Sequence, residues 1–195
     1  DESRGLGDVY KRQRETFGRM AMNDYETAAL VAGGHTFGKS HGAASESYKG
    51  PDPEASKLQD QSTGWNSGYK SGKGVDTISS GIEGAWTQNP IQWDMGYLDC
   101  LYGHEWELTK SPAGAHQWTP KKNGQEIKMV PDAHQKGVLH PPMMQTTDIS
   151  MKVDPSYGPI TKHFHQNPKE FHDAFARAWF KFCLLYTSPS PRDSS

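Results

Sequence analysis

The chain reads as a mostly α-helical domain with long irregular loops and one small β-hairpin. Three observations predict this. An alanine-rich run, Ala28-Ala29-Leu30-Val31-Ala32, follows Asn23 and Glu26, which stand at capping-box spacing. Near the other end, Phe171, Ala174, Phe175, Ala178, Trp179 and Phe182 recur at helical intervals behind Asn167-Pro168. Between these segments, Gly42 to Ser80 loses all periodicity.

Taken in order, Arg14 to Met22 has helical composition, with Phe17, Met20 and Ala21 on one face. Asn23 then caps a helix expected from Asp24 to about Gly33, with Asp24 and Glu26 in the first turn where the helix dipole favours negative charge. His35 falls at or just beyond that helix's C-terminal end. The stretch from Gly42 to Ser80, with Gly50-Pro51-Asp52-Pro53, reads as long loop, and a loop of that length is functional or disordered. Tyr102, His104, Trp106 and Leu108 alternate with Gly103, Glu105 and Glu107, which predicts a strand. Ser111-Pro112-Ala113-Gly114 turns it into a partner near His116 to Thr119, a hairpin around 102–119. Lys121 to Gly137 reads as polar loop. Asp154-Pro155 and Asn167-Pro168 are both N-cap plus N1-proline signals, and Glu170 completes a second capping box. No internal repeat is visible.

The composition narrows the function classes. A net charge of -2 offers no basic surface for nucleic acid. No apolar run reaches the ~20 residues that span a bilayer, and no signal-peptide pattern is present. Six Trp, seven Phe and eight Tyr suit either the wall of an apolar cofactor cavity or an aromatic-rich core.

The two ends read as foreign to the rest. Cys183 to Asp193, CLLYTSPSPRD, can be encoded by DNA whose reverse complement in another frame gives SRGLGDVYKR, which is Ser3 to Arg12. Residues 1–13 and 183–195 are therefore expected to be translated sequencing adapter, with 14–182 as the native part of a domain. Within 14–182 Cys100 is the sole cysteine, so no internal disulfide is expected.

Nine histidines compete for a chemical role. His163, His165 and His172 lack cysteine partners and straddle a helix cap, which argues against zinc. His104 and His116 read as hairpin residues, and His134 and His140 as loop. No Ser/His/Asp or Cys/His triad follows from spacing, and the glycine-rich segments lack phosphate-loop form. His35 differs in its surroundings. Gly33 and Gly34 clear side chains beside it, which suits close approach of a bulky planar group and equally suits a plain helix terminator.

Thr27 to Phe37, TAALVAGGHTF, resembles the proximal-histidine signature of haem peroxidases. The longer Met20 to Ala43, MAMNDYETAALVAGGHTFGKSHGA, resembles the bacterial-type catalase-peroxidases among them. The likeness continues through Asp76 to Asp94, Leu101 to Trp118, Pro141 to Pro155 and Phe175 to Lys181, in order. It implies a mostly α, haem-peroxidase-like fold, incomplete here, corresponding to the proximal part of the N-terminal catalytic half.

By that resemblance His35 is the axial ligand of the iron of one haem b. Asp148 accepts its other ring N–H, and Trp86 lies against the imidazole and donates to the same carboxylate. Such a pairing pushes electron density toward iron and favours peroxide O–O cleavage. Leu30, Gly34, Gly38, Lys39, Ser40 and His41 are expected on the proximal face and near the propionates. Ser80 is placed near a propionate and the access channel, and Phe175 and Trp179 toward the haem pocket. Met20 matches the methionine that joins a covalent adduct with a tyrosine and a distal tryptophan. The adduct supports oxidation of a second peroxide to dioxygen.

The resemblance implies an enzyme that decomposes hydrogen peroxide to water and dioxygen and oxidises small donors with peroxide, as a homodimer or homotetramer. The expected compartment is the cytoplasm over the periplasm. The peroxide-activating arginine, tryptophan and histidine of the family are expected upstream of Arg14, so 14–182 alone is expected to be inactive. The alternatives are a monofunctional haem peroxidase and a haem-less structural module of the same fold.

Overall fold

The helix that carries His35 is the centre of the molecule. In the computed structural model, which describes residues 2–42, 44–51, 55–58, 66–78, 81–132 and 134–187, α1 spans Glu2–Arg19 and α2 spans Asp24–Gly34. Asn23 Oδ1 accepts from the Glu26 amide at 2.9 Å and Glu26 returns the bond to the Asn23 amide at 3.0 Å, closing the capping box. Beyond its acidic first turn, α2 is built of alanine, glycine, leucine and valine, and such a stretch belongs in a core. Ala28, Ala29 and Ala32 are wholly buried, and α2 packs against α5 (Tyr157–Gln166) and α6 (Pro168–Thr187).

The first helix ends earlier than its composition predicts, at Arg19 in place of Met22. Ala21 adopts a left-handed φ of 55°, and the Met22 amide reaches back to the Phe17 carbonyl at 3.0 Å, the six-to-one bond of a Schellman stop. The reversal places Met22 in the core and leaves Met20 half-buried in the turn. α1 crosses residue 13 without a break, and buried Gln13 accepts from Ser150 Oγ at 3.2 Å.

The middle of the chain is loop punctuated by short pairings. β1 (Lys39–Ser40) pairs antiparallel with β2 (Gly84–Ala85) across the long loop, which holds single 3-10 turns at Glu46–Tyr48 and Gly74–Asp76. The predicted hairpin is β3 (Trp106–Lys110) with β4 (His116–Pro120), in register from Trp106 opposite Pro120 to Lys110 opposite His116. Its start is four residues later than expected. Tyr102 belongs to α3 (Gly96–Gly103), which buries Tyr97, Leu98, Cys100 and Leu101 on one side; the alternation from Tyr102 counts the end of that helix as strand. The Lys152 ammonium closes α3 by donating to the Leu101 and His104 carbonyls at 3.1 and 3.0 Å.

Lys121 to Gly137 is not all loop. β5 (Val130–Pro131) pairs with β6 (Leu139–His140), held by Asp132, whose Oδ1 accepts from the His134 and Gln135 amides at 2.8 Å while Oδ2 meets His140 Nε2 at 2.8 Å. Two-residue strands carry no alternation to read, and this pairing follows from the side-chain turn of Asp132.

Met143 and Met144 join the layers. The Met143 amide donates to the Ala85 carbonyl at 2.9 Å, and Met144 exchanges bonds of 2.8 and 3.0 Å with Trp118. The chain then enters α4 (Thr146–Val153). Asp154 is the C-cap of α4 and not the expected N-cap residue of α5. Its side chain still serves α5, since Oδ1 accepts from the Ser156 and Tyr157 amides at 2.8 and 3.0 Å. Pro168 opens α6 as predicted, but Glu170 turns from the capping box to His163 Nε2 at 2.7 Å, and the Asn167 amide donates to the His163 carbonyl.

Of the apolar stripe on α6, Phe171, Ala174 and Ala178 are buried, while Trp179 keeps 49% of its surface exposed. Among the described residues no helix is long and apolar enough to cross a membrane.

Candidate active site

His35 is the C-cap of α2, its amide bonded to the Val31 carbonyl at 2.9 Å. The alanine-rich helix therefore delivers the imidazole at the point where the backbone leaves helical geometry. Its Nδ1 lies 2.7 Å from Oδ1 of Asp148, a carboxylate with no solvent exposure at all. Asp148 sits in the first turn of α4, where its Oδ2 also accepts from the Gln145 amide at 2.7 Å. One carboxylate thus starts a helix and anchors the histidine.

Trp86 follows β2 directly. Its indole N–H donates to Asp148 Oδ2 at 2.8 Å, and its ring stacks on His35 with centroids 4.1 Å apart and planes 13° from parallel. The bridge from Ala85 to Met143 holds the Trp86 and Asp148 segments side by side. Three residues separated by long stretches of sequence are thereby brought into one cluster.

Sequence reasoning missed a fourth member. Tyr97, on α3 and 1% exposed, donates its hydroxyl to Asp148 Oδ1 at 2.9 Å, with its ring inclined at 69° to that of His35 and centroids 5.8 Å apart. The signal was weak: one tyrosine on the buried face of a short helix looks like core.

Burial pushes the Asp148 carboxyl upward. The opposing charge and hydrogen bond of His35, then the Gln145 amide and the Trp86 indole, outweigh burial and hold it below the usual carboxylate range. Burial, followed by the Asp148 charge, drives the Tyr97 phenol well above its ordinary value, so it remains a neutral donor.

With Nδ1 committed to Asp148, the opposite ring edge carries Nε2, which has no hydrogen-bond partner among the described residues. His35 lines an open cleft of about 440 Å³ with Phe17, Val31, Gln145 and Thr147. Gly34 is exposed, and a β-carbon there would meet nothing within 4 Å. An unpartnered imidazole nitrogen beside bare backbone is a donor set that fits a metal carried by a flat ligand.

The remaining expected residues scatter more widely. Gly38 takes a left-handed φ of 73° and opens the turn into β1, so only glycine fits it without strain. Lys39 Nζ and His41 Nδ1 both reach Glu83, at 2.9 and 2.8 Å. His41 Nε2 lies 2.9 Å from the Val75 carbonyl. Ser40 is half-buried in β1 opposite Gly84, and Leu30 packs on the edge of the core. Phe175 rests on Gly33 and stacks on Trp93 at 4.6 Å, and Trp179 extends that row outward. Ser80 lies outside the described residues. Elsewhere His163 pairs with Glu170 and His165 with Asp99, and among the described residues no cluster of metal-ligating side chains is present.

Comparison with known proteins points one way. A family profile described as "Peroxidase" matches residues 7–167. The chain is 60% identical over 180 residues to a catalase-peroxidase of Koribacter versatilis (strain Ellin345), covering 92% of this chain and 24% of that protein. It is likewise 60% identical over 182 residues to one of Maridesulfovibrio salexigens, covering 93% and 25%. Against that of Acaryochloris marina the identity is 58% over 179 residues, covering 92% and 24%. The chain spans about a quarter of the length of the curated relatives it matches.

Proposed function

The chain belongs to the peroxidase family, and from this we propose that it holds the proximal half of a haem site in a bifunctional catalase-peroxidase. The observation that carries the reading is the His35–Asp148 pair at 2.7 Å, with Trp86 bonded to the same carboxylate and Nε2 left without a protein partner.

His35 Nε2 would bind the iron of one haem b, and the bare Gly34 would let the macrocycle lie close to the backbone. Leu30, Gly38, Lys39, Ser40, His41 and Ser80 would border its proximal face and propionates. Lys39 would share its charge between Glu83 and those carboxylates, with His41 beside it on Glu83. Phe175 and Trp179 would act further out, as the wall behind α2. The iron, when bound, supplies the redox chemistry that cleaves the peroxide O–O bond.

The chain's own residues do the rest. Asp148 keeps the proton of His35 on Nδ1, which fixes the tautomer and leaves the Nε2 lone pair free. Because the carboxylate is an anion, it makes the imidazole a stronger electron donor. Trp86 holds the ring plane by stacking and holds the carboxylate by its N–H. Met20, in the turn between α1 and α2, is the proposed member of a covalent adduct that serves the dioxygen-forming half of the reaction. Hydrogen peroxide and small electron donors are the proposed substrates, with the longer protein working as a homodimer or homotetramer, in the cytoplasm. The native unit proposed within this chain is 14–182.

Haem titration of the full chain, followed at the Soret band, tests the reading. One equivalent should bind through His35. His35→Gly should lose the histidine-ligated spectrum, and added imidazole should restore it. An unchanged spectrum in His35→Gly would overturn the assignment.

A further inference from the structure

We propose that Tyr97 is a positioning residue for His35 that acts through Asp148: its hydroxyl occupies the carboxylate oxygen that holds the His35 N–H and limits the charge this oxygen passes to the ring. The proposal rests on the reading of His35 as an iron ligand.

The carboxylate of Asp148 has four acceptor positions, and all are filled. Oδ1 takes His35 Nδ1 at 2.7 Å and the Tyr97 hydroxyl at 2.9 Å; Oδ2 takes Trp86 Nε1 at 2.8 Å and the Gln145 amide at 2.7 Å. The two oxygens are not equivalent in consequence. The donors on Oδ2 fix where the carboxylate sits, by a helix start and a stacked indole. On Oδ1 the phenol competes directly with the imidazole, since donors sharing one anionic acceptor divide its charge and each bond weakens the other.

The burial of Tyr97 makes the arrangement specific. A phenylalanine would fill the same space on α3, and nothing about the packing of a wholly buried ring calls for a hydroxyl. The wholly buried Tyr157 hydroxyl has no hydrogen-bond partner among the described residues, whereas the Tyr97 hydroxyl meets the very atom that faces His35. The two rings are inclined at 69° with centroids 5.8 Å apart, so the phenol and the imidazole approach the carboxylate from fixed, separate directions. Trp86 cannot do the same, because its N–H goes to the other oxygen.

Tyr97→Phe is the test. It keeps the ring, removes one donor from an anion that retains three others, and leaves no buried donor unpaired. In the haem-free chain, the His35 Nδ1–H proton resonance should move downfield as its bond to Oδ1 strengthens. In the haem-loaded full chain, the ferrous iron–histidine stretching frequency should rise and the ferric/ferrous potential should fall. Site-specific incorporation of ring-fluorinated tyrosine at 97, a stronger donor of the same shape, should move all three readouts the opposite way.

A role in packing alone would change the stability of Tyr97→Phe and leave the resonance, frequency and potential where they are, and that result would overturn the proposal. If the parent chain binds no haem while the Nδ1–H resonance moves as stated, the haem reading fails and the coupling through Asp148 stands. Unfolding of Tyr97→Phe leaves the fluorinated chain to decide, and an unmoved resonance there overturns the proposal equally.

Discussion

Gly33 lies beneath the ring of Phe175, so close that a β-carbon at position 33 would stand 2.1 Å from Cδ2. One residue on, Gly34 faces open space. The two glycines before His35 therefore do different jobs: the first lets α6 close on α2, and the second keeps the side of the histidine clear.

Gly33→Ala should accordingly destabilise the chain by roughly 1–3 kcal/mol, the usual range for overpacking a core. Phe175→Leu in the same chain should recover part of the loss. Gly34→Ala should leave stability unchanged or raised by up to about 1 kcal/mol, because alanine is the better helix former, yet weaken haem binding. Urea midpoints and haem titrations on the three variants check this. Equal stability effects at 33 and 34 would contradict the assignment of roles.

Removal of the buried acceptor should cost more. Asp148→Ala strands the donors of His35, Trp86, Tyr97 and Gln145 around a cavity. Leaving buried donors unsatisfied costs roughly 1–3 kcal/mol per group, so their joint loss is a large share of a domain's stability. The unfolding free energy from urea titration should fall by that order with the slope unchanged, and the histidine-ligated haem spectrum should be lost. A loss below about 1 kcal/mol would mean that the four bonds are not formed together in solution.

Acid should act on the joint between α1 and the α4–α5 corner. Arg14 spans Asp24 at 3.1 Å and Asp154 at 2.7 Å and lies over the Tyr157 ring. Burial raises the Asp154 carboxyl, but the Arg14 hydrogen bond, then the Tyr157 and Ser156 amides, take it below its ordinary value. A carboxyl lowered by folding contributes its full stability above the unfolded pKa of about 3.9, and that contribution is lost as pH falls through the folded value. Arg14→Met should be less stable than the parent by roughly 1–2 kcal/mol at pH 6, discounting for the solvent that reaches Arg14. The gap should close as pH falls below the unfolded carboxyl value of about 3.9 and on through the lower folded one. A pH-independent gap would show that Arg14 acts by packing alone.

The two thiols should separate cleanly by reactivity. Cys100 is buried on α3, and burial, with the Asp99 charge, pushes its thiol up to about 12. Cys183 is exposed. A maleimide or disulfide reagent at neutral pH should label one thiol rapidly and the second only on unfolding. Fast labelling of both would show that α3 opens readily.

The parts of this fold that were legible in the sequence are those written in neighbouring residues. Asn23 and Glu26 bind each other across a single turn, so the start of α2 could be read directly. Pro168 has no N–H to lose and opens α6 for that reason. The turn at Ser111 to Gly114 likewise closes on itself, with the Gly114 amide on the Ser111 carbonyl at 2.9 Å. Where local signals misled, a tertiary partner had intervened. Glu170 left its cap for His163, and Tyr102 joined a helix whose buried face answers to α4 and α5.

The sequence alone determined that α2 is alanine-rich, ends in two glycines and presents His35 at its tip, because each of these properties depends on residues within a few positions of one another. Its likeness to catalase-peroxidases gave His35, Trp86 and Asp148 their expected roles. The tertiary structure decided what those roles rest on. The loop between β1 and β2 and the Met143–Met144 bridge carry Trp86 and Asp148 to the histidine, and no local rule encodes that meeting. It also added Tyr97, whose hydroxyl becomes more than core only when a buried carboxylate stands 2.9 Å away. A charge without water must take its hydrogen bonds from whatever the fold brings near.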